Sequence, residues 1–299
     1  MQLSSKPNRL PDADDGGSGE FSVRQVRCLQ LRQLMRSRTF LAGATILSLW
    51  ISCAIFGGLF RPVDPLAQDL LATHSPPSGA HLFGTDALGR DVLSRIIGGS
   101  RQILIVAPAA SVLGTVVGTI IGLVQAYFLG LIDMIIGRII EAALALPLLI
   151  IAVVFVVALG ASVPTLILVV GFAFALIISR TIRTAAIQER HLDYVAAARL
   201  RGEGAAHIML IEILPNILGP IIVEFTVRLG NAIYLVAGLS FLGFGVRPPT
   251  PDWGADIADN YQYLAAGYWW ETLFAALAIA SLITATSLVG DSIESVIIE

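Results

Sequence analysis

The sequence predicts an all-α integral membrane protein with six transmembrane helices, and three observations carry that expectation. Of 299 residues, 56% are hydrophobic and only 14% charged, well below the roughly 25% charged residues of ordinary soluble domains. The hydrophobic residues also fall in uncharged runs, and about 20 helical residues suffice to cross a ~30 Å hydrocarbon core. Finally, the 19 basic residues are clustered, as in chains whose Lys and Arg hold particular loops on the cytoplasmic side. The net charge of -3 excludes a broadly basic nucleic-acid binder, which needs an electrostatic footprint this chain lacks.

The elements follow in chain order. Residues 1–38 hold seven of the basic residues and the acidic, glycine-rich stretch "DADDGGSGE", a composition that reads as a disordered cytoplasmic tail. Thr39 to Phe60 is uncharged and forms the first span. A signal peptide is the competing reading, but the run exceeds a core of about 7–15 residues and no small-residue cleavage site follows it. Cys28 in the tail and Cys53 in this span are too far apart to pair. Two lone cysteines carry no redox or metal signal.

Residues 61–101 form a long extracytoplasmic loop in which four arginines are balanced by Asp64, Asp69, Asp86 and Asp91. Within it "TDALGRDVLSRII" reads as a short surface helix. Asp86 with Arg90 and Asp91 with Arg95 are acid-before-base pairs four apart, the favourable helical order. Leu88, Val92, Ile96 and Ile97 then rest on the membrane or on the bundle. The second span lies within Gln102 to Ile132 and places Ala110, Gly114, Gly118, Gly122, Ala126 and Gly130 at every fourth position. Such a ridge admits a close helix neighbour, because packing drives association in lipid. Packing within the chain and a seam to another subunit both fit.

Ala142 to Ser179 is long enough for two spans, broken at "LGASVPT", where Gly160 and Pro164 frame a turn. Asp133, Arg138 and Glu141 start the third span near the cytoplasmic interface. Asn216 to Leu239 and Thr272 to Gly290 supply the last two spans. Residues 102–292 thus make a five-helix core with a cytoplasmic loop at 183–215 and an extracytoplasmic loop at 241–270. Arg180, Arg183, Arg190, Arg199 and Arg201 surround the first of these loops. Both termini and that loop therefore face the cytoplasm.

Lys6 is the only lysine, so a GxxxxGK[ST] phosphate loop has no place here and ATP-driven work must come from another protein. The four histidines form no HExxH and no GxSxG is present; no catalytic or metal-binding residue is assigned. Glu224 and Arg228 lie one turn apart in the fifth span, with Asn231 continuing the face. Ionisable groups at such depth call for a role, because burying charge in hydrocarbon is costly. A structural pair, a contact to a neighbouring subunit and a polar patch along a substrate path all remain open for these three residues.

"DYVAAARLRGEGAAHIMLIEILPN", Asp193 to Asn216, interrupts the apolar pattern. Asp193 is a good N-cap, Tyr194 to Arg201 make about two turns, Arg199 and Arg201 complement the helix dipole, and Gly202 provides the stop. A helix this short is not stable alone in water. Tyr194, Val195 and the small face of Ala196, Ala197 and Ala198 need a surface. A lipid-lying helix wants bulky anchors, whereas three alanines suit a protein groove.

The same stretch resembles the cytoplasmic signature of ABC-importer permeases through Ala197, Ala198, Gly202, Leu214 and Pro215. Ala196 stands where that family usually has an acid, and Glu212 where isoleucine is common, which bears on contacts of the acid rather than on the loop. "HLFGTDALGRDVLSR" (His81 to Arg95), "GLSFLGFGVRPPTPDWG" (Gly238 to Gly254) and the closing "LVGDSIES" are similar to the subfamily serving dipeptides, oligopeptides and nickel, in particular its dipeptide permease C-type subunit.

The resemblance implies a type I ABC-importer permease fold in the inner membrane of a prokaryote. Its expected partners are a homologous second permease subunit, two ABC ATPase subunits, an extracytoplasmic substrate-binding protein and membrane lipid. ATP and Mg are expected on the partner ATPases, with no cofactor in this chain. Asp193, Tyr194, Val195, Ala196, Ala197, Ala198, Arg199 and Gly202 become the ATPase-coupling residues. Ala205 to Leu214 then passes the motion to the fifth span through Pro215. A membrane-embedded enzyme using Glu224 or Asp133, and a self-sufficient secondary transporter with inverted repeats, are the competing classes.

Overall fold

The computed structural model describes residues 34–298, with side chains to residue 296. Cys28 and most of the expected disordered tail lie outside the described residues. The described chain is helical: α1 (Arg38–Phe60), α2 (Val92–Phe128), α3 (Gly130–Leu144), α4 (Leu148–Leu159), α5 (Val163–Arg190), α6 (Asp193–Leu200), α7 (Ala205–Phe241), α8 (Trp253–Asn260) and α9 (Trp270–Ile298). Of these, α1, α2, α5, α7 and α9 are each long and apolar enough to cross a bilayer. The sixth candidate span is the pair α3 and α4, bent by 90° at their junction. The corner is set by Pro147, whose ring cannot continue a helix and which takes an extended ψ of 130°.

The centre of the bundle is the seam between α2 and α5. A Cβ built on Gly114, Gly118 or Gly122 would lie 2.9, 2.8 and 2.8 Å from the carbonyl oxygens of Gly171, Ala175 and Ser179. The ridge of small residues therefore serves packing within the chain, and backbone meets backbone along three turns. Gly130, the last residue of the ridge, lies at the α2–α3 corner with a φ of +59° and nothing near its missing Cβ. Around the seam α7 and α9 run antiparallel, and α1 lies outermost. Thr39 Oγ1 lies 3.1 Å from Ser292 Oγ, and Trp50 Nε1 donates to Ser281 Oγ at 3.0 Å, fixing α1 along α9. The break expected at "LGASVPT" is present: Gly160 has a φ of +84°, and Ser162 caps α5 by accepting from Thr165 N at 3.3 Å.

Two ends of the bundle differ in character. At one, the segment before α2 folds over α8 and the start of α9. The expected separate surface helix is absent: residues 86–91 form a turn, and Asp91 caps α2 by accepting from Ser94 N at 2.8 Å. Val92, Ile96 and Ile97 are buried in the first turns of that long helix. Asp86 does pair with Arg90, at 2.6 Å, but across a turn. Arg95 does not pair with Asp91; it binds Asp256 of α8, donating from Nε at 2.8 Å and also from its terminal nitrogen. The reason is chemical: Asp91 is already committed to the helix N-terminus and to His81 Nδ1 at 3.0 Å. Trp253 and Trp270 complete this layer by donating to the carbonyls of Ile96 and Thr85 at 2.8 and 3.1 Å. The opposite end carries α6.

Candidate functional site

Only two residues, His191 and Leu192, separate α5 from α6, so the short helix is held close to the end of a long one. Asp193 is not its N-cap, contrary to the sequence expectation. Leu192 takes the extended cap conformation (φ -79°, ψ 153°), with no side-chain cap bond, and Asp193 is already helical. The short link demands an extended residue as soon as α5 stops. Asp193 still opposes the positive helix end from the first turn.

The far end closes as expected, with more detail than the sequence offers. Gly202 has a φ of +80°, its N–H donates to Arg199 O at 3.0 Å, and Glu203 N donates to Ala198 O at 3.2 Å. These two bonds form a Schellman motif, which satisfies carbonyls the last turn would leave open.

Val195 and Ala198 are fully buried against the chain's own bundle. Ala196 and Ala197 face away and are exposed, with Leu192 and Leu200 exposed by 48% and 90%. The alanine face is therefore divided, with Ala198 inward and Ala196 and Ala197 outward. The seat itself is polar. Tyr194 Oη donates to Glu189 Oε2 on α5 at 2.6 Å and accepts from Asn216 Nδ2 on α7 at 3.2 Å. Burial, then the Glu189 carboxylate, push the Tyr194 hydroxyl up to about 12, so it keeps its donating proton throughout the physiological range. Arg199 lies over the Tyr127 ring of α2, 5.5 Å from its centroid, a cation–π contact. Arg201 donates to Glu212 Oε1 of α7 at 2.9 Å.

Glu212, one of the two departures from the pattern noted in the sequence, thus anchors the loop that follows α6. A push on this exposed helix bears on α2, α5 and α7 together.

The lead into α7 is irregular. Residues Ala205–His207 are α-helical, Ile208–Ile213 form a π-turn and Leu214–Ile217 a 3₁₀ turn before regular helix resumes at Leu218. Pro215 has no N–H to give the carbonyl four residues back, and the widened and tightened turns absorb the mismatch.

In the same helix Glu224 and Arg228 pair at 3.0 Å, with side chains 13% and 16% exposed. Thr181 Oγ1 of α5 donates to Glu224 Oε1 at 2.7 Å, so the pair ties α7 to α5 within the chain. Asn231 is exposed and lies outside this network.

One group escaped the sequence reading. Arg183 of α5 donates from Nε to Asp133 Oδ1 at 2.6 Å and from its terminal nitrogen to the second oxygen. Gln125 of α2 adds a bond to Asp133 at 3.2 Å. These residues line a cavity of about 450 Å³, together with Arg138, Glu141 and Arg180. Asp133 and Arg183 stand fifty residues apart, so no local pattern announces the pair. The nearest signal is the charged trio Asp133, Arg138 and Glu141 in α3, in which Arg138 pairs with Glu141 and leaves Asp133 for a partner on another helix.

A bundle of apolar helices packed backbone to backbone, tied across by ion pairs and holding a short rigid helix out at one end, has the form of a multi-pass membrane transport subunit. The chain belongs to the binding-protein-dependent transport system inner membrane component family, whose model matches residues 114–297. The model for the N-terminal transmembrane domain of oligopeptide transport permease C matches residues 29–77.

Among curated relatives, the dipeptide transport system permease protein DppC of Escherichia coli is 39% identical over 264 residues, 86% of this chain and 88% of its own. The di/tripeptide transport system permease protein DppC of Pseudomonas aeruginosa is 35% identical over 261 residues, 85% of each chain. A putative peptide transport system permease protein of Brucella suis is 34% identical over 269 residues, 90% of each. The protein is accordingly a permease subunit of the inner membrane and not an enzyme.

Proposed function

We propose that this chain forms one half of the translocation path of an ATP-driven importer of short peptides, and that α6 is the point at which ATP hydrolysis moves it. The observation that carries this reading is the division of α6: Val195 and Ala198 lock it to the bundle while Ala196, Ala197 and Leu200 are offered outward. In this reading Asp193, Tyr194, Val195, Ala196, Ala197, Ala198, Arg199 and Gly202 form the coupling unit, seated in a groove of an ABC ATPase. The full assembly has two such ATPases, which bind ATP and Mg, a second homologous permease and an extracytoplasmic substrate-binding protein. The α6 end and both termini lie on the cytoplasmic side, supported by the clustering of basic residues there. Glu224 and Arg228, besides tying α7 to α5, and the exposed Asn231 border the path or the seam with the second permease.

The peptide assignment draws on the functions named for the relatives above; nickel or another small solute is the alternative cargo. Reconstitution in proteoliposomes with the partner subunits tests the reading. Uptake of dipeptides that requires both ATP and the ATPases is expected. Gradient-driven uptake by this chain alone contradicts the reading. Identification of the solute bound to the extracytoplasmic partner decides between peptide and metal.

A further inference from the structure

On the side of the bundle away from the polar cavity, a groove of about 550 Å³ runs between α1, α2, α7 and α9. Its walls are aliphatic, including Leu47, Ile51 and Ile55 of α1, Leu104 of α2 and Ile233 of α7, and the one charged residue lining it is Arg101. Arg101 is exposed, and among the described residues no side-chain hydrogen bond, ion pair or ring contact engages it. A cation in an apolar helix without a partner is costly: Arg95, Arg183 and Arg228 each have a carboxylate, and Arg180, which has none, faces the polar cavity with Asp133 and Glu141, whereas Arg101 faces walls without a carboxylate.

The level of Arg101 in the bilayer follows from the crossing of α1 and α2, where a Cβ on Gly57 would lie 3.0 Å from Ile97. Arg101 lies one turn deeper than Ile97, about 6 Å along the helix, and hence roughly 10 Å below the end of α1. An arginine side chain covers most of that depth while its stem stays in apolar surroundings. The guanidinium then meets the headgroup level at the top of a groove shaped for a hydrocarbon chain.

We propose that this groove is a binding site for one anionic phospholipid, its phosphate on Arg101 and an acyl chain between α1 and α7. The argument is charge complementarity: an apolar slot capped by a single unpaired guanidinium matches an amphiphile with one anionic head. Arginine suits a phosphate through its paired donors. The site stands independently of what the importer carries.

The test uses the purified permease complex, stripped of lipid, returned to phosphatidylcholine and titrated with phosphatidylglycerol under native mass spectrometry. One phosphatidylglycerol per chain is expected to resist displacement. Arg101→Gln should weaken its retention at least about tenfold, the scale of a lost charged hydrogen bond. Arg101→Lys should retain part of it, and Leu104→Trp, which fills the groove and keeps the cation, should expel the lipid.

Unchanged retention in either Arg101→Gln or Leu104→Trp overturns the proposal. So does loss of the second permease from Arg101→Gln in both lipids alike, which points to a protein carboxylate, or a raised substrate requirement with lipid occupancy unchanged, which points to a substrate carboxylate.

Discussion

Gly202→Val isolates the stop of α6 from everything else in the chain. Gly202 has a φ of +80°, and a Cβ built there meets nothing within 4 Å, so the substitution introduces no clash. Its whole effect is conformational. A β-branched residue in the left-handed region costs roughly 1–3 kcal/mol, and relief of that strain breaks the bonds from Gly202 N to Arg199 O and from Glu203 N to Ala198 O. Because 1.4 kcal/mol is tenfold in an equilibrium, the properly closed helix should fall by about five- to a hundredfold in population.

The bundle does not depend on this turn, so thermal unfolding of the purified chain should stay within about 2 °C of wild type. ATPase association and uptake should fall together. Gly202→Asn, which tolerates the left-handed region, should restore most of both. Gly204→Ser at the next cap, where φ is -71°, should be neutral or mildly stabilising. If Gly202→Val assembles and transports as wild type, the physical account of the knob is wrong.

Other expectations follow from the same geometry. Gly118→Ala pushes a methyl to 2.8 Å from Ala175 O and should destabilise the chain by about 1–3 kcal/mol, read as a lowered unfolding midpoint and weaker membrane insertion. Asp133→Asn should cost roughly 1–3 kcal/mol by loosening the Arg183 clamp, and the charge-swapped pair Asp133→Arg with Arg183→Asp should recover part of it in a double-mutant cycle.

At the opposite end, burial raises the Asp256 carboxyl to about 6, against the opposing pull of Arg95 and Arg90. The folded value lies above the ordinary carboxylate range, so folded protein binds the extra proton and stability falls as pH rises from about 4 to 6. Asp256→Asn should reduce the fall of the unfolding midpoint across that window without abolishing it, since burial also shifts Asp252 upward.

The spans were legible because lipid demands uncharged runs, and the sequence supplies them with few interruptions. The break at Gly160 and the stop at Gly202 were legible for a related reason: each needs a backbone conformation that glycine adopts freely. What escaped was long-range pairing. Asp91 and Arg95 look like helical neighbours on paper, yet Arg95 reaches Asp256, 161 positions away, and the supposed surface helix is the start of α2.

Asp193 reads as a cap by residue type, but the two-residue link from α5 gives that place to Leu192. The bend between α3 and α4 had a signal in Pro147, though one lost in a continuous apolar run. The short helix was legible in outline, down to the inward need of Val195, but the alanines are not one face: Ala198 turns inward while Ala196 and Ala197 turn outward. Its hydrogen-bonded seat through Tyr194, Glu189 and Asn216 required the fold.

The most direct test places a thiol on the exposed crest of α6. In a chain with Cys28 and Cys53 replaced by serine, Leu200→Cys should react freely with a membrane-impermeant maleimide applied from the cytoplasmic side. In the assembled complex it should be shielded, and it should cross-link to an ATPase subunit. A thiol that stays equally reactive after assembly, or that labels from the extracytoplasmic face, contradicts the claim that this protein is driven through α6.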